Sequence, residues 1–177
     1  MSEKLVELLK NNLRDIPDFP IEGILFHDIV PLLNNPEAFT ALIKGMAEEY
    51  RGKVDVVAGI ESRGFILAAP LAIELGIGMV PIRKAGKLPG EVIGVDYDLE
   101  YGSARLELSA GMIKENQRVL LVDDVLATGG TVWAANELIE KSGAKVETVL
   151  VIMELLSLNG RDKIQGLNVK SYLQYDC

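Results

Sequence analysis

The sequence has a single cysteine, Cys177, which excludes an intrachain disulfide. A chain without disulfides is typical of a reducing compartment, and we therefore expect a cytoplasmic protein. Long hydrophobic runs are also missing, because polar residues interrupt every apolar segment before it could span a bilayer. The first residues contain no extended apolar region of the kind found in signal peptides, and they favour the start of an amphipathic helix.

Positive charge is scarce in this chain. The 18 lysines and arginines are outnumbered by 26 aspartates and glutamates, which gives a net charge of −8. Such an excess repels nucleic-acid backbones and disfavours sequence-independent DNA or RNA binding. It is compatible with a small anionic substrate, because backbone amides and a few cations hold phosphate in acidic proteins. A length of 177 residues with 49% hydrophobic residues predicts one globular domain, over residues 1–177, with a sizeable core.

Two common nucleotide-binding motifs are missing as well. No Gly-Lys-Ser or Gly-Lys-Thr occurs, which disfavours a P-loop and triphosphate hydrolysis. The three spaced glycines of a dinucleotide-binding loop are absent too. Residues 119–131 contain instead an apolar run, two adjacent acids and a loop of small residues. Helical periodicity follows, through Val132, Ala135, Leu138 and Ile139.

A strand, a small-residue loop and a helix N-terminus in this order can form a phosphate site. The apolar run at 119–122 predicts a buried strand that ends where Asp123 and Asp124 begin. The helix offers unpaired amide N–H groups and the positive end of its dipole to an anion. We predict a ribose 5-phosphate whose hydroxyls donate to the two aspartates. Its phosphate would lie on the loop formed by Ala127, Thr128, Gly129, Gly130 and Thr131. The alternative is an acid pair that only caps the helix.

Strand and helix patterns alternate along the rest of the chain. Apolar stripes predict helices over residues 4–13 and 66–75, and another that starts at Pro36 with Asn35 as its cap. Short branched runs predict strands over residues 54–58, 79–82, 92–95, 103–108, 144–153 and 169–173, with a helical turn at 160–164. Residues 18–29 are expected to be irregular, with aromatic side chains that either pack into the core or face a flat ring. The alternation predicts an α/β fold with a central, mainly parallel sheet flanked by helices.

The acid pair followed by Thr-Gly-Gly-Thr resembles the diphosphate-sugar motif of the type I phosphoribosyltransferase family. Three further segments resemble the adenine phosphoribosyltransferases within it: residues 19–28, 59–65 and 97–102. The resemblance covers nearly the whole chain. It implies the fold of that family, with a small hood to which residues 1–33 contribute. It also implies transfer of the phosphoribosyl group of 5-phosphoribosyl 1-diphosphate to adenine, which yields AMP and pyrophosphate in purine salvage.

The resemblance implies which residues hold the adenine base. Leu25, Phe26 and His27 would line its pocket together with Val125. His27 stands where the family usually has arginine, so its side chain is shorter and its charge depends on pH. We do not assign it a catalytic role.

The diphosphate would be held by cations in two other segments. Ser62 and Arg63 match a dipeptide that contacts the diphosphate and is often associated with a non-proline cis peptide. The cationic segment that contains Arg83, Lys84 and Lys87 matches a loop that holds pyrophosphate. Taken alone, an isolated arginine or a cluster of cations more often lies on a solvated surface. The family also implies Mg²⁺, held mainly through the diphosphate and without direct protein ligands.

The catalytic residues implied by the resemblance are Arg63, Glu100 and Tyr101. Glu100 would exchange a proton with the purine, Tyr101 would help to close the site, and Arg63 would stabilise the leaving charge. The family implies a homodimer, while the negative net charge and the short apolar segments predict no nucleic-acid or membrane partner. Two alternatives stay open: a phosphoribosyltransferase for another base, such as hypoxanthine or orotate, and a non-catalytic nucleotide-sensing regulator.

Overall fold

The computed structural model describes residues 3–98 and 102–176. Its helices are α1 (Glu3–Asn11), α2 (Val30–Asn34), α3 (Pro36–Tyr50), α4 (Arg63–Leu75), α5 (Gly130–Lys141) and α6 (Gly160–Lys163). Its strands are β1 (Arg14–Ile16), β2 (Phe26–Asp28), β3 (Val56–Ile60), β4 (Gly78–Lys84), β5 (Val92–Asp98), β6 (Ser103–Ser109), β7 (Arg118–Leu126), β8 (Lys145–Leu155) and β9 (Val169–Tyr175). Within the described ranges, no helix combines the length and the apolar character that crossing a membrane would require.

Seven strands form one sheet in the order β5-β6-β4-β3-β7-β8-β9. The strands from β4 to β9 in this order run parallel, and β6 and β5 add an antiparallel edge. Parallel neighbours need crossover connections, and α4 and α5 supply them after β3 and β7. The predicted α/β fold with a central, mainly parallel sheet is confirmed.

Helices cover both faces of the sheet because its central strands are apolar on both sides. On one face, Val57 and Leu120 pack with side chains of α1, α3 and α4. On the other face, Ala58 and Leu121 pack with side chains of α5. All four side chains are fully buried. Burial of apolar area, at about 25 cal/mol per Å², therefore holds the strands in place and leaves their carboxyl ends free to form a site.

The strand that carries the acid pair is longer than predicted. β7 continues past Asp123 and Asp124, because its ladder with β8 extends to the end of the strand. Its ladder with β3 stops earlier, at Val122 opposite Gly59. The end of β7 therefore projects beyond β3, and this difference in length opens a cleft beside the two aspartates.

Residues 18–29, predicted to be irregular, are partly regular. β2 lies in this stretch and pairs antiparallel with β1, with His27 opposite Asp15. The prediction was wrong here because three-residue strands show too little periodicity to be recognised. Phe19 and Leu25 are 50% and 43% exposed, so these two side chains do not belong to the core.

The starts of two helices test the predicted boundaries. The start at Pro36 is confirmed, since the Asn35 side chain accepts hydrogen bonds from two backbone N–H groups at 3.0 and 3.2 Å. α4 begins at Arg63, earlier than the predicted residue 66. Gly64 lies in its first turn, and the weak helix propensity of glycine hid the true start.

Candidate functional site

A cavity of about 550 Å³ opens where the parallel strands end. Ligands of α/β proteins bind at this edge of the sheet. Four parts of the chain contribute to its wall: the β3–α4 junction, the end of β4, the β5–β6 edge and the segment from β7 into α5. The lining residues are Glu61, Ser62, Arg63, Lys84, Tyr97, Ala104, Leu106 and residues 123–132.

Residues 127–131, which we call the glycine loop, connect β7 to α5 along this cavity. Gly129 has φ 81°, a left-handed conformation that favours glycine, and it turns the chain into the helix. The first turn of α5 contains no acidic residue, and no side chain of the described residues caps it. The unpaired N–H groups and the positive dipole end of α5 are therefore available to an anion. This finding contradicts the alternative in which the acid pair only caps the helix.

The two aspartates differ in their surroundings. Asp124 is only 5% exposed, and its Oδ2 lies 2.5 Å from the Nε of Arg63. Its backbone N–H donates to Oδ1 of Asp123 at 2.9 Å. Burial, and next the negative charge of Asp124, raise the pKa of Asp123 well above its usual range. The pair thus combines one carboxylate neutralised by arginine with one that resists ionisation.

A second ion pair, between Arg83 and Glu61, borders the cavity. The Nε and Nη2 groups of Arg83 each donate to one carboxylate oxygen of Glu61, both at 3.2 Å. The backbone N–H of Lys84 donates to the same carboxylate at 2.9 Å. These hydrogen bonds, led by those of Arg83, hold the pKa of Glu61 below its usual range. Glu61 therefore stays ionised and fixes the end of β4 against the start of α4.

A second cavity of about 380 Å³ adjoins the first. The two cavities share Arg63 and Asp124. The Arg63 guanidinium also lies 5.8 Å from the centre of the Phe26 ring, within the range of a cation–π contact. The Phe19 and Phe26 rings meet edge to face at 5.2 Å. The remaining lining residues are Ile16, His27, Asp28, Ile29 and Val30.

The His27 ring is engaged on both its edge and its face. Its Nδ1 lies 2.6 Å from Oδ1 of Asp15, and the ring stacks on Tyr175 with 3.8 Å between centroids. The residue is 8% exposed. His27 therefore connects β2 to β1 and to β9.

A model of the phosphoribosyl transferase domain matches residues 31–177. The adenine phosphoribosyltransferase of Carboxydothermus hydrogenoformans is 54% identical over 94% of this chain and 99% of its own length. That of Mus musculus is 46% identical over 99% of this chain and its own full length.

The chain belongs to the adenine phosphoribosyltransferase family. A solved structure agrees: that of the Saccharomyces cerevisiae adenine phosphoribosyltransferase, complexed with D-2,5-dideoxy-2,5-imino-altritol 1,6-bisphosphate and adenine. It has a TM-score of 0.93 and 41% identity, and the match covers 97% of this chain and 100% of that chain.

For this family member, the fold brings several predicted residues to one cavity. Ser62, Arg63 and Lys84 line it with the acid pair, the glycine loop and Val125. The peptide bond between Glu61 and Ser62 is cis, next to the dipeptide for which the resemblance implied such a bond.

Other predicted residues lie elsewhere. Arg83 and Lys87 do not line the cavity; Arg83 binds Glu61 and donates to the carbonyl oxygen of Lys87 at 3.0 Å. Leu25 lines neither cavity. Glu100 and Tyr101 lie outside the described residues.

Three residues near the site were not predicted from the sequence. Glu61 lies within residues 59–65, and the resemblance of that segment assigns it no role. Lys163 comes from α6, and its Nζ lies 3.6 Å from where a Cβ on Gly130 would be. Gly160, also in α6, touches the backbone of the glycine loop. The α6 segment has no local signal for this contact, because it is remote in sequence from the loop that it meets.

Proposed function

We propose that this protein transfers the 5-phosphoribosyl group of 5-phosphoribosyl 1-diphosphate to adenine, giving AMP and pyrophosphate. The main support is the position of the acid pair, which lies between the uncapped N-terminus of α5 and Arg63. The cavity that contains it adjoins the second cavity, which is lined by Phe19 and Phe26. This arrangement matches a ligand with a phosphate at one end, hydroxyls in the middle and a flat ring beside it. The yeast relative supports the assignment, since its structure contains adenine and a bisphosphate.

The sugar phosphate is held by β7 and α5. The amides of the glycine loop, together with the hydroxyls of Thr128 and Thr131, bind the 5-phosphate. Asp123 and Asp124 accept hydrogen bonds from the 2- and 3-hydroxyls. Asp124 carries negative charge, which favours the positive charge that develops on the ribose ring as the bond to diphosphate breaks. Binding energy from the remote phosphate thus positions the reacting carbon.

The leaving diphosphate is stabilised by cations on the opposite wall. Ser62, Arg63 and Lys84 face it directly. Arg83 and Lys87 act indirectly, because they stabilise the segment at the end of β4 that carries Lys84. Arg63 is 45% exposed at its side chain, so it is able to exchange Asp124 for a diphosphate oxygen. Because the ion pair breaks only when the substrate arrives, Arg63 and Asp124 keep each other in place in the free protein.

Mg²⁺ is the proposed cofactor. Within residues 3–98 and 102–176, no three His, Cys, Asp or Glu side chains are arranged to hold a metal ion. Two of the carboxylates that face the cavity, those of Glu61 and Asp124, are paired with arginines, and the raised pKa of Asp123 disfavours its charged form. This donor set suits an ion that enters on the diphosphate oxygens rather than a resident one. When bound, Mg²⁺ supplies charge neutralisation for the leaving group.

Adenine occupies the aromatic cavity, next to the shared residues Arg63 and Asp124. Phe26 and His27 lie in its wall, and we extend the assignment to Leu25 and Val125 from the family resemblance. Residues 1–33 contribute the hood over the base, within a single domain that spans residues 1–177. The exposed Phe19 supports this role, since an exposed aromatic ring is available to cover a flat ligand.

The bond from ribose carbon 1 to diphosphate breaks as nitrogen 9 of adenine forms its bond to the same carbon. Adenine that carries its proton on nitrogen 7 must lose that proton. We assign its acceptance to Glu100, with Tyr101 closing the site. In the reverse reaction Glu100 donates the proton back.

One experiment distinguishes this function from its two alternatives, transfer to another base and non-catalytic nucleotide sensing. Formation of the corresponding nucleoside 5-monophosphate is measured spectrophotometrically with adenine, hypoxanthine, guanine and orotate, with Mg²⁺ and with EDTA. We expect adenine to exceed every other base at least about a hundredfold, and EDTA to abolish turnover. Preference for another base would replace adenine as the substrate. AMP binding without any turnover would instead favour a regulator.

A homodimer in the cytoplasm completes the proposal. The single cysteine in 177 residues supports a reducing compartment. Light scattering coupled to size-exclusion chromatography tests the oligomeric state, and we expect a mass of twice 19.3 kDa. A monomer of full activity would contradict it.

A further inference from the structure

We propose that α6 is a positioning element for the 5-phosphate, with Gly160 as its contact to the glycine loop. This role depends on the proposed binding of the 5-phosphate by residues 127–131. α6 comes after β8 and is separated in sequence from the loop by the whole of α5 and β8. None of its side chains is part of the proposed phosphate contact, so it acts through the backbone that it supports.

The contact between Gly160 and the glycine loop is made by main-chain atoms. A Cβ added to Gly160 would overlap the carbonyl oxygen of Ala127 and lie 3.2 Å from the backbone nitrogen of Gly129. In the opposite direction, a Cβ on Gly129 would overlap the carbonyl oxygen of Gly160. Main-chain atoms cannot rotate away as the end of a side chain does. Either substitution therefore requires the two segments to separate.

Gly160 is needed for this approach and not for its backbone conformation. It is absent from the glycines with positive φ, whereas Gly129 is among them. Alanine at position 160 is thus compatible with the local backbone, and the strain that it causes comes only from the glycine loop. A substitution at Gly160 therefore tests the contact alone, whereas one at Gly129 would also strain its own backbone.

The residue after Gly160 anchors the turn to the end of the sheet. Arg161 donates to both carboxylate oxygens of Glu154, from Nε at 2.6 Å and from Nη2 at 2.8 Å. Glu154 is 4% exposed and also accepts from Ser171 at 2.9 Å and from Gln174 at 3.3 Å. A two-point pair of this kind fixes direction as well as distance. It therefore holds Gly160 at a set position against the loop.

A fixed support matters because anion binding by amides depends on their placement. The N–H groups of the glycine loop and the first turn of α5 must converge on one phosphate. Displacing the loop at Ala127 and Gly129 spoils that convergence without touching the adenine cavity, which α6 does not line. The expected signature is weaker binding of the sugar phosphate with unchanged use of adenine.

The test compares Gly160→Ala with Gly78→Ala, a control whose Cβ would meet no atom within 4 Å and whose φ is not positive. Isothermal titration calorimetry gives the Kd for ribose 5-phosphate, and steady-state kinetics give KM for both substrates. We expect Gly160→Ala to raise the Kd for ribose 5-phosphate and the KM for the diphosphate sugar about tenfold, less than the hundredfold that a 1 Å misplacement can cost. KM for adenine should stay within about twofold in both variants.

Glu154→Gln is the second variant, because Gly160→Ala could fail to fold. It keeps the shape of the side chain and removes the charge that holds Arg161, and we expect the same pattern at about threefold. If Gly160→Ala does not fold, Glu154→Gln decides alone. A parallel rise in the KM of both substrates, or a Kd within twofold of the parent in the folded variants, overturns the positioning role.

Thr131→Val separates this inference from the binding site on which it depends. It removes a hydroxyl of the glycine loop itself. Weaker ribose 5-phosphate binding by Thr131→Val with no effect of the α6 variants leaves the phosphate site in place and overturns the role of α6. If Thr131→Val is also silent, the assignment of the 5-phosphate to this loop is overturned, and the role of α6 with it.

Discussion

The sharpest structural test of the site is Gly64→Ala, at the start of α4. Gly64 is buried where this helix packs against the end of β7. A Cβ at this position would lie 2.7 Å from the carbonyl oxygen of Val122 and 3.2 Å from Oδ1 of Asp123. The nearer atom belongs to the backbone of a central strand, which is held on both sides by hydrogen-bonded neighbours. The helix must therefore move away from the strand.

The size of the effect follows from two opposing contributions. Overpacking a well-filled contact costs about 1–3 kcal/mol. Replacing glycine with alanine in a helix recovers up to about 1 kcal/mol, and less in the first turn, where the helix is only partly formed. We expect a net loss of about 1–2 kcal/mol in the free energy of unfolding. For a domain of this size, that loss lowers the thermal midpoint by about 2–8 °C.

The same displacement should impair the function of the cavity. Arg63 precedes Gly64, so moving the start of α4 draws its guanidinium away from Asp124. We expect a KM for the diphosphate sugar that is raised about threefold to tenfold, since Arg63 is displaced from the position from which it contacts the diphosphate. Urea unfolding, followed by the fluorescence of the single tryptophan, Trp133, measures stability, and steady-state kinetics measure KM.

Gly45→Ala is the matched control in another helix. Its Cβ would lie 2.9 Å from the Cδ2 of Leu5, the end of a flexible side chain that is able to rotate away. This variant should be as stable as the parent or slightly more stable, because alanine favours the helix. If Gly64→Ala behaves like this control in both stability and KM, the close packing of α4 on β7 does not constrain the site.

Three further outcomes are expected. Asp123→Asn should be more stable than the parent at pH 8 and should lose that advantage near pH 4. The pKa of Asp123 is raised, mainly by burial and further by the charge of Asp124, so the folded parent loses stability as pH rises through that pKa. Urea unfolding measures both proteins at both pH values, and a parent more stable than Asp123→Asn at pH 8 would contradict the prediction. Asp55→Asn should be less stable than the parent at pH 7, and the difference should vanish near pH 2. Hydrogen bonds from Arg118 lower the pKa of Asp55 to about 2, so their contribution to stability is lost as pH falls through that value. A constant difference in thermal midpoint across a pH series would refute this explanation. Glu100→Leu should bind the diphosphate sugar normally and lower kcat at least about tenfold, and unchanged turnover would remove Glu100 from the mechanism.

Much of the site was predictable from short-range patterns. The order of strand, acid pair and glycine loop placed Asp123 and Asp124 beside the start of α5, and the structure brings them together in one cavity. Arg63 joined them because ligand loops after parallel strands meet at one edge of the sheet. The sequence did not predict that Lys84 would line the cavity while Arg83 would only support it. Adjacent residues of a strand point to opposite faces, and the sequence does not show which face borders the site.

Local sequence patterns are sufficient to predict the class of fold, the cap of α3 and the chemical character of the loop between β7 and α5. These depend on neighbours within a few residues: the periodicity of apolar side chains, the cap at Asn35 and the absence of a side chain on glycine. The length by which β7 projects past β3 depends on long-range packing, and so do the contacts of His27 with Asp15 and Tyr175. The contact between Gly160 and the glycine loop depends on it as well. Such contacts join segments that are distant along the chain, so no local pattern of residues records them.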